Sequence, residues 1–270
     1  MRERLVWLVM AVAAGGPVFG STIELGDASS FALLGSTITE TGDSNIVGNV
    51  GATTTITQNG AWTVTGTVYP APSNPTVTAA YDAFESAYDT GIALGNTQPT
   101  LTSLPATQTF TGNNVYRFTN NISTATGTVL TFDDQGNPNE IFVIQVDGAF
   151  TVNGILTFDL GSTKASNIFW IVEDAATISV GSSPAQTFDG NILAGTSFTM
   201  SAASGGSGTL AGTINGCVFS ETANALAGQT NVNGCVTSAA SNVPEPGSSE
   251  LVSLGCLLGI LAWRKLRVRL

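Results

Sequence analysis

The stretches VDGAFTVNG (146–154), VEDAATISVG (172–181) and LAGTSFTMSA (193–202) repeat one pattern: an apolar start, a small or acidic turn, then an alternating segment. Aligned on it, Thr151, Thr177 and Thr199 fill one column, and Asn153, Ser179 and Ser201 a second. Val152, Ile178 and Met200 fall between and point the other way, because successive strand residues face opposite sides. A unit of roughly 20–25 residues cannot bury its apolar side alone and must stack on copies of itself. The repeat therefore predicts a mainly β chain of stacked coils. A β-sandwich also has short strands at regular spacing, but the recurring columns favour the solenoid.

Strand signals cover most of residues 23–236, as in EIFVIQVDG (140–148), GILTFDLG (154–161) and NIFWIVED (167–174). One segment differs. In NPTVTAAYDAFESAYDTGIAL, Val77, Tyr81, Phe84, Tyr88 and Ile92 recur at helical spacing, so one face is apolar. Asn74 suits the N-cap, Pro75 the first helical position, and Gly91 or Gly95 the end. Such a helix buries its aromatic stripe along the side of the β structure.

The two ends speak of export. Residues 1–20 carry two arginines, an apolar stretch and then Val18 and Gly20, the pattern of a secretory signal cleaved before Ser21. At the other end, Pro244, Glu245 and Pro246 in a linker (239–250) precede an apolar run, Leu251–Trp263, and a basic cluster within 251–270. That order resembles the PEP-CTERM sorting tail of Gram-negative bacteria, which implies transient membrane insertion, handling by an exosortase-type enzyme and surface delivery. A plain membrane anchor is the alternative, although the apolar run is short of the roughly 20 residues a spanning helix needs. The intervening domain is 21–238. Only Arg117 and Lys164 supply positive charge there, so nucleic acid is excluded as a partner.

The chain has no histidine, which removes the usual base of serine and cysteine hydrolases and leaves the two cysteines of the 21–238 domain, Cys217 and Cys235, a poor zinc set; Cys256 belongs to the tail. No metal and no cofactor are expected, and an enzyme is the least favoured class. The loop DDQGNPNE (133–140) is rich in oxygen ligands but lacks EF-hand spacing and reads equally as a turn. An oxidising compartment favours a Cys217–Cys235 disulfide, with two free thiols as the alternative.

Threonine outnumbers the 31 glycines, and TTTITQNGAWTVTGTV (53–68) sets it at alternate positions twice. Strand neighbours two apart share a side at about 6.6–6.8 Å, and adjacent strands lie about 4.8 Å away. A sheet face thus presents a regular two-dimensional grid of side chains. Threonine is stiff at χ1, its methyl resists full hydration, and its hydroxyl anchors one ordered water. Its β-propensity alone also explains any single pair.

The ordered set LGDASSFALLGSTITETG (25–42), NIVGNVG (45–51), TAAYDAFESAY (78–88), NNVYRFTNNI (113–122), EIFVIQVDGAFTV (140–152), SNIFWIVEDAATISVG (166–181) and FDGNILAGTSFTM (188–200) resembles the secreted microbial ice-binding family. The resemblance implies a right-handed, three-faced, irregular β-solenoid with one long α-helix packed along its side, whose coils do not stack in sequence order. It also implies an extracellular protein that meets ice or ordered water on a flat Thr/Ser-rich face. On this basis the expected face holds Thr37, Thr39, Thr55, Thr57, Thr63, Thr65, Thr151, Asn153, Thr177, Ser179, Thr199 and Ser201. A structural or adhesive role in the extracellular polysaccharide matrix, with the same fold, is the alternative, and would call for a groove lined by Trp62, Trp170 or tyrosines.

Overall fold

The computed structural model describes residues 23–180, 185–202 and 210–235. The segments expected to be an export signal (1–20) and a linker with a sorting tail (239–270) lie outside the described residues. The chain opens with a short 3-10 turn, Gly26–Ser30, and then β1 (Phe31–Glu40), β2 (Ser44–Ile46), β3 (Asn49–Gln58), β4 (Trp62–Val64) and β5 (Val68–Tyr69). Helix α1 (Pro75–Ala93) follows. After it come β6 (Thr107–Thr111), β7 (Asn114–Phe118), β8 (Ile122–Thr124), β9 (Thr128–Asp133), β10 (Phe142–Val146), β11 (Phe150–Asn153) and β12 (Leu156–Asp159). The remainder is β13 (Ile168–Val172), β14 (Ala176–Val180), β15 (Gln186–Asp189), β16 (Asn191–Ala194), β17 (Ser197–Ala202), β18 (Leu210–Asn215), β19 (Val218–Ser220), β20 (Ala223–Ala227) and β21 (Gln229–Val232).

These strands coil, so each one pairs in parallel with its counterpart from another turn rather than with its sequence neighbour. One side runs β7-β10-β13-β16-β19 and the next β20-β17-β14-β11-β8, with β1 joining the two. The long β1 serves both sides: Leu33 and Leu34 pair with β19, and Thr37 to Glu40 with β20. The third side comprises β12-β9-β6 and, separately, the five-stranded β15-β18-β21-β2-β4. β1 and β2 therefore stack on the C-terminal coil β19–β21, so coil order departs from chain order, as the resemblance implies.

Helix α1 makes that arrangement possible. Its 19 residues span about 28 Å, close to the roughly 24 Å across the strands from β3 to β10, which it covers. Asn74 caps its start, accepting from the Thr76 backbone N–H at 3.0 Å, with Pro75 in the first turn. Val77, Phe84 and Tyr88 are buried as the spacing predicts, joined by Ala80 and Ala87, against Val115, Val143, Ile171, Leu193 and Phe219. Gly91 sits inside the helix rather than ending it. A Cβ there would come within 2.8 Å of Ile171 Cδ1, so glycine is needed for the close approach.

The interior is aromatic. Trp170 is fully buried, stacked on Phe150 at 4.9 Å, with Phe188 at 5.5 Å, and its Nε1 donates to the Asp189 carbonyl. Ala71, Trp62 and Val64 pack against this core in the N-terminal coils, as do Leu104 and Leu101, the latter bridged to Phe118 of β7. Cys217 and Cys235 form the expected disulfide, across a sequence separation of 18 residues.

Candidate functional site

The second side collects the hydroxyls. Thr151 pairs with Ser123 on β8 and Thr177 on β14; Thr177 pairs with Thr199, and Thr199 with Ala225 on β20. The rank continues through Thr39 to Thr57. Two residues along, Asn153, Ser179, Ser201 and Ala227 form a parallel rank. On the other flank Ser197, Ala223, Thr37 and Thr55 form a third. None of these side chains carries a charge, and all are half-buried or exposed.

The alternating residues explain why this side faces outward. Val152, Ile178, Phe198, Met200, Leu226 and Ile38 are all buried in the core, so a slip of one residue in any strand would expose its apolar set. Glu40 also points inward, with Oε1 accepting from the Gly42 N–H and the Ser44 hydroxyl. The hydroxyl side thus keeps its neutrality even where β1 carries a carboxylate.

Two expected members lie elsewhere. Thr63 belongs to β4 and pairs with Asn45 of β2, on the third side; Thr65 follows it, its N–H bonded to the Ile46 carbonyl. Ten of the twelve expected residues thus share one side, and Thr63 and Thr65 lie off it. The physical reason is the tight corner after β3, where Gly42, Gly60 and Gly228 stack. A Cβ on Gly60 would lie 1.9 Å from the Gly42 carbonyl oxygen, so only glycine fits. The threonine alternation runs through this corner and gives no sign of it.

Ser123, Ser197 and the alanine column of β20 join the face although threonine spacing does not find them. The alternation in TANALAG (222–228) was the available signal, obscured because the inward residue Asn224 is polar. Its Nδ2 donates to the Leu34 carbonyl at 2.8 Å, replacing an apolar contact by a hydrogen bond.

Charge concentrates elsewhere. Glu221, Glu173 and Asp174 occupy the corner between the helix side and the hydroxyl side, facing Glu85 and Asp89 of α1. Burial, reinforced by Glu85 and Asp89, raises the pKa of Glu221. Burial, with Glu85 and Glu221 beside it, pushes Tyr81 up to about 12, and its hydroxyl donates to the Glu221 carbonyl at 2.6 Å. In the 133–140 loop, Asp133 and Asp134 accept from the N–H groups of Gln135 and Gly136, which is turn chemistry. Among the described residues no group of three or more His, Cys, Asp or Glu could hold a metal.

Residues 32–233 match the family model described as ice-binding-like. An ice-binding protein of Nostoc sp. (strain HG1) is 32% identical over 259 residues, covering 89% of this chain and 86% of that protein. Among solved structures, an ice-binding protein from an Antarctic biological consortium is 26% identical with a TM-score of 0.64, covering 78% of this chain and 90% of that one. One from the Antarctic ascomycete Antarctomyces psychrotrophicus is 27% identical with a TM-score of 0.63, covering 77% and 97%.

Proposed function

We propose, on the premise that this chain belongs to the ice-binding-like family, that it binds ice through the hydroxyl side of its coil stack, without catalysis. The observation that carries the reading is the rank Ser123–Thr151–Thr177–Thr199–Ala225–Thr39–Thr57, with a parallel rank on each flank and no charge in any of them. Strand pairing sets the rank at about 4.8 Å and alternate residues at about 6.6–6.8 Å, so hydroxyls and methyls repeat in two dimensions. Each contact is weak. Their sum is useful because a hydrogen-bonded coil loses little freedom on docking. Adsorbed molecules force ice to advance as curved fronts between them, which opposes growth and recrystallisation.

A glycan-binding role calls for aromatic platforms, and the outward ranks hold none: Trp170 is buried and Trp62 packs inward against the core. For the setting, the signal-like residues 1–20 and the Pro244-Glu245-Pro246 tail support export and exosortase-type sorting to the surface of a Gram-negative cell. The test is recrystallisation inhibition and thermal hysteresis of the purified protein. Activity at micromolar concentration supports the reading; its absence up to solubility overturns it in favour of the matrix role.

A further inference from the structure

We infer that the five-stranded part of the third side is a second ice-docking surface, centred on the rank Thr187–Thr213–Asn231–Asn45–Thr63. This rests on the ice-binding reading above and extends it to a separate side, of whose central rank the expected set held Thr63 alone.

The rank is continuous through successive pairings: Thr187 with Thr213, Thr213 with Asn231, Asn231 with Asn45, and Asn45 with Thr63. All five side chains are half-buried or exposed and uncharged, while Phe188, Ile214, Val232 and Ile46 between them are buried. The pleat therefore presents one neutral polar row, as on the hydroxyl side.

The two sides also share their period. β2, β4 and β21 leave β1, β3 and β20 through the stacked corner at Gly42, Gly60 and Gly228. Asn45 therefore lies in the same coil as Thr39, Thr63 in that of Thr57, and Asn231 in that of Ala225. The coil-to-coil spacing of about 4.8 Å belongs to the stack and not to either face. Whatever axial match to ice the first side achieves, the third side has by construction.

Rigidity is present too. Asn233 Nδ2 donates to Asn215 Oδ1 at 2.6 Å, Asn215 Nδ2 to Asp189 Oδ1 at 2.7 Å, and Asn231 Nδ2 to Thr213 Oγ1 at 3.4 Å. Amides tied in this way are set in place before docking, so little entropy remains to be lost. Each amide both donates and accepts, which suits a water lattice. The flanking carboxylates are already engaged: Asp189 by Asn215, and Asp43 Oδ1 by the Ala61 N–H. The strands of this sheet hold no lysine or arginine for an anionic partner, and Trp62 faces the core rather than a sugar. Because the two sides meet at a corner, they cannot lie on one plane together; each docks a different set.

The experiment is staining of a single-crystal ice hemisphere by fluorescently labelled protein, comparing wild type with Thr199→Tyr, Thr213→Tyr and the double variant. Loss of one set of stained planes in Thr213→Tyr, of another in Thr199→Tyr, and of all staining in the double variant supports the inference. If Thr213→Tyr stains as wild type does and Thr199→Tyr alone erases everything, the second surface is overturned and the ice-binding reading stands. If wild type stains nothing, both fall. Thr63→Tyr, at an exposed edge position, repeats the test with less risk to folding, and thermal melts of each variant verify the fold.

Discussion

Thr177 lies directly opposite Thr199 on adjacent parallel strands, while their neighbours Ile178 and Met200 lie opposite each other on the buried side. One pairing thus fixes two layers at once: an outward pair of hydroxyls and an inward pair that locks the register. A bulky side chain at Thr199 would stand above its rank without entering the core. Thr199→Tyr is expected to remove recrystallisation inhibition by the hydroxyl side and to change unfolding free energy by no more than about 0.5 kcal/mol, the usual range for a surface substitution. An ice-recrystallisation assay alongside a urea melt checks both; unchanged inhibition would place the active surface elsewhere.

The β20 column interrupts the hydroxyls. Ala225 pairs with Thr199 on one side and Thr39 on the other, and Ala223 and Ala227 continue the gap along the strand. Ala225→Thr restores a hydroxyl between two existing ones. One added water-anchoring group contributes about 0.5 kcal/mol, so the concentration needed to stop recrystallisation should fall about twofold. Ala225→Lys, which plants a mobile hydrated charge in the same place, should raise it. A dilution series of the three proteins gives the order; Ala225→Lys matching wild type would show that the rank is not in contact with ice.

Much of this is legible in the sequence alone. The columns Thr151/Thr177/Thr199 and Asn153/Ser179/Ser201 are register partners, because a coil repeat converts sequence alignment directly into spatial neighbourhood. The helix stripe was legible for a similar reason, since its 3.6-residue period survives in Val77, Phe84 and Tyr88. What the sequence hides is where coils turn and which coils meet. Thr63 continues the alternation of Thr55 and Thr57 yet lies round a corner, because glycine stacking leaves no mark on threonine spacing. The pairing of Thr39 with Ala225 is likewise unreadable locally, since it joins the first coil to the last.

Gln145 holds the far end of the helix. It is buried, and its Nε2 donates to the carbonyls of Gly91 at 2.6 Å and Leu94 at 2.8 Å, groups that a helix end leaves without internal partners. Gln145→Leu keeps the bulk but strips both bonds. Unfolding free energy should drop by about 2–3 kcal/mol, with ice activity unchanged in the folded protein at low temperature. Denaturant titration provides the measurement, and a loss below about 0.5 kcal/mol would mean that other donors replace the amide.

The Cys217–Cys235 bridge ties the residue just before β19 to the residues after β21, closing a separation of 18 residues. Removing it with Cys217→Ser and Cys235→Ser together frees the last coil in the unfolded chain and should cost about 3 kcal/mol. Added reductant should reproduce that loss in wild type and leave the double variant unaffected. Comparable melting of wild type with and without reductant would show that the bridge contributes nothing.

Asp189 gives the stack a pH dependence with a definite sign. Burial raises its pKa, and the hydrogen bond from Asn215 lowers it by less. A carboxyl raised in the folded state is easier to bury neutral than charged. Its contribution is therefore fully favourable below the ordinary carboxylate range and is lost as pH climbs through the raised value. Asp189→Asn stays neutral throughout and keeps an oxygen for Asn215 Nδ2. The gain in melting temperature over wild type should thus be largest toward alkaline pH and shrink steadily as pH falls to and below the ordinary carboxylate range. Glu221, also raised by burial and by Glu85 and Asp89, is present in both proteins and cancels from the difference. Paired melts across that range decide the matter, and a difference that does not change with pH would show that Asp189 carries no net charge penalty in the fold.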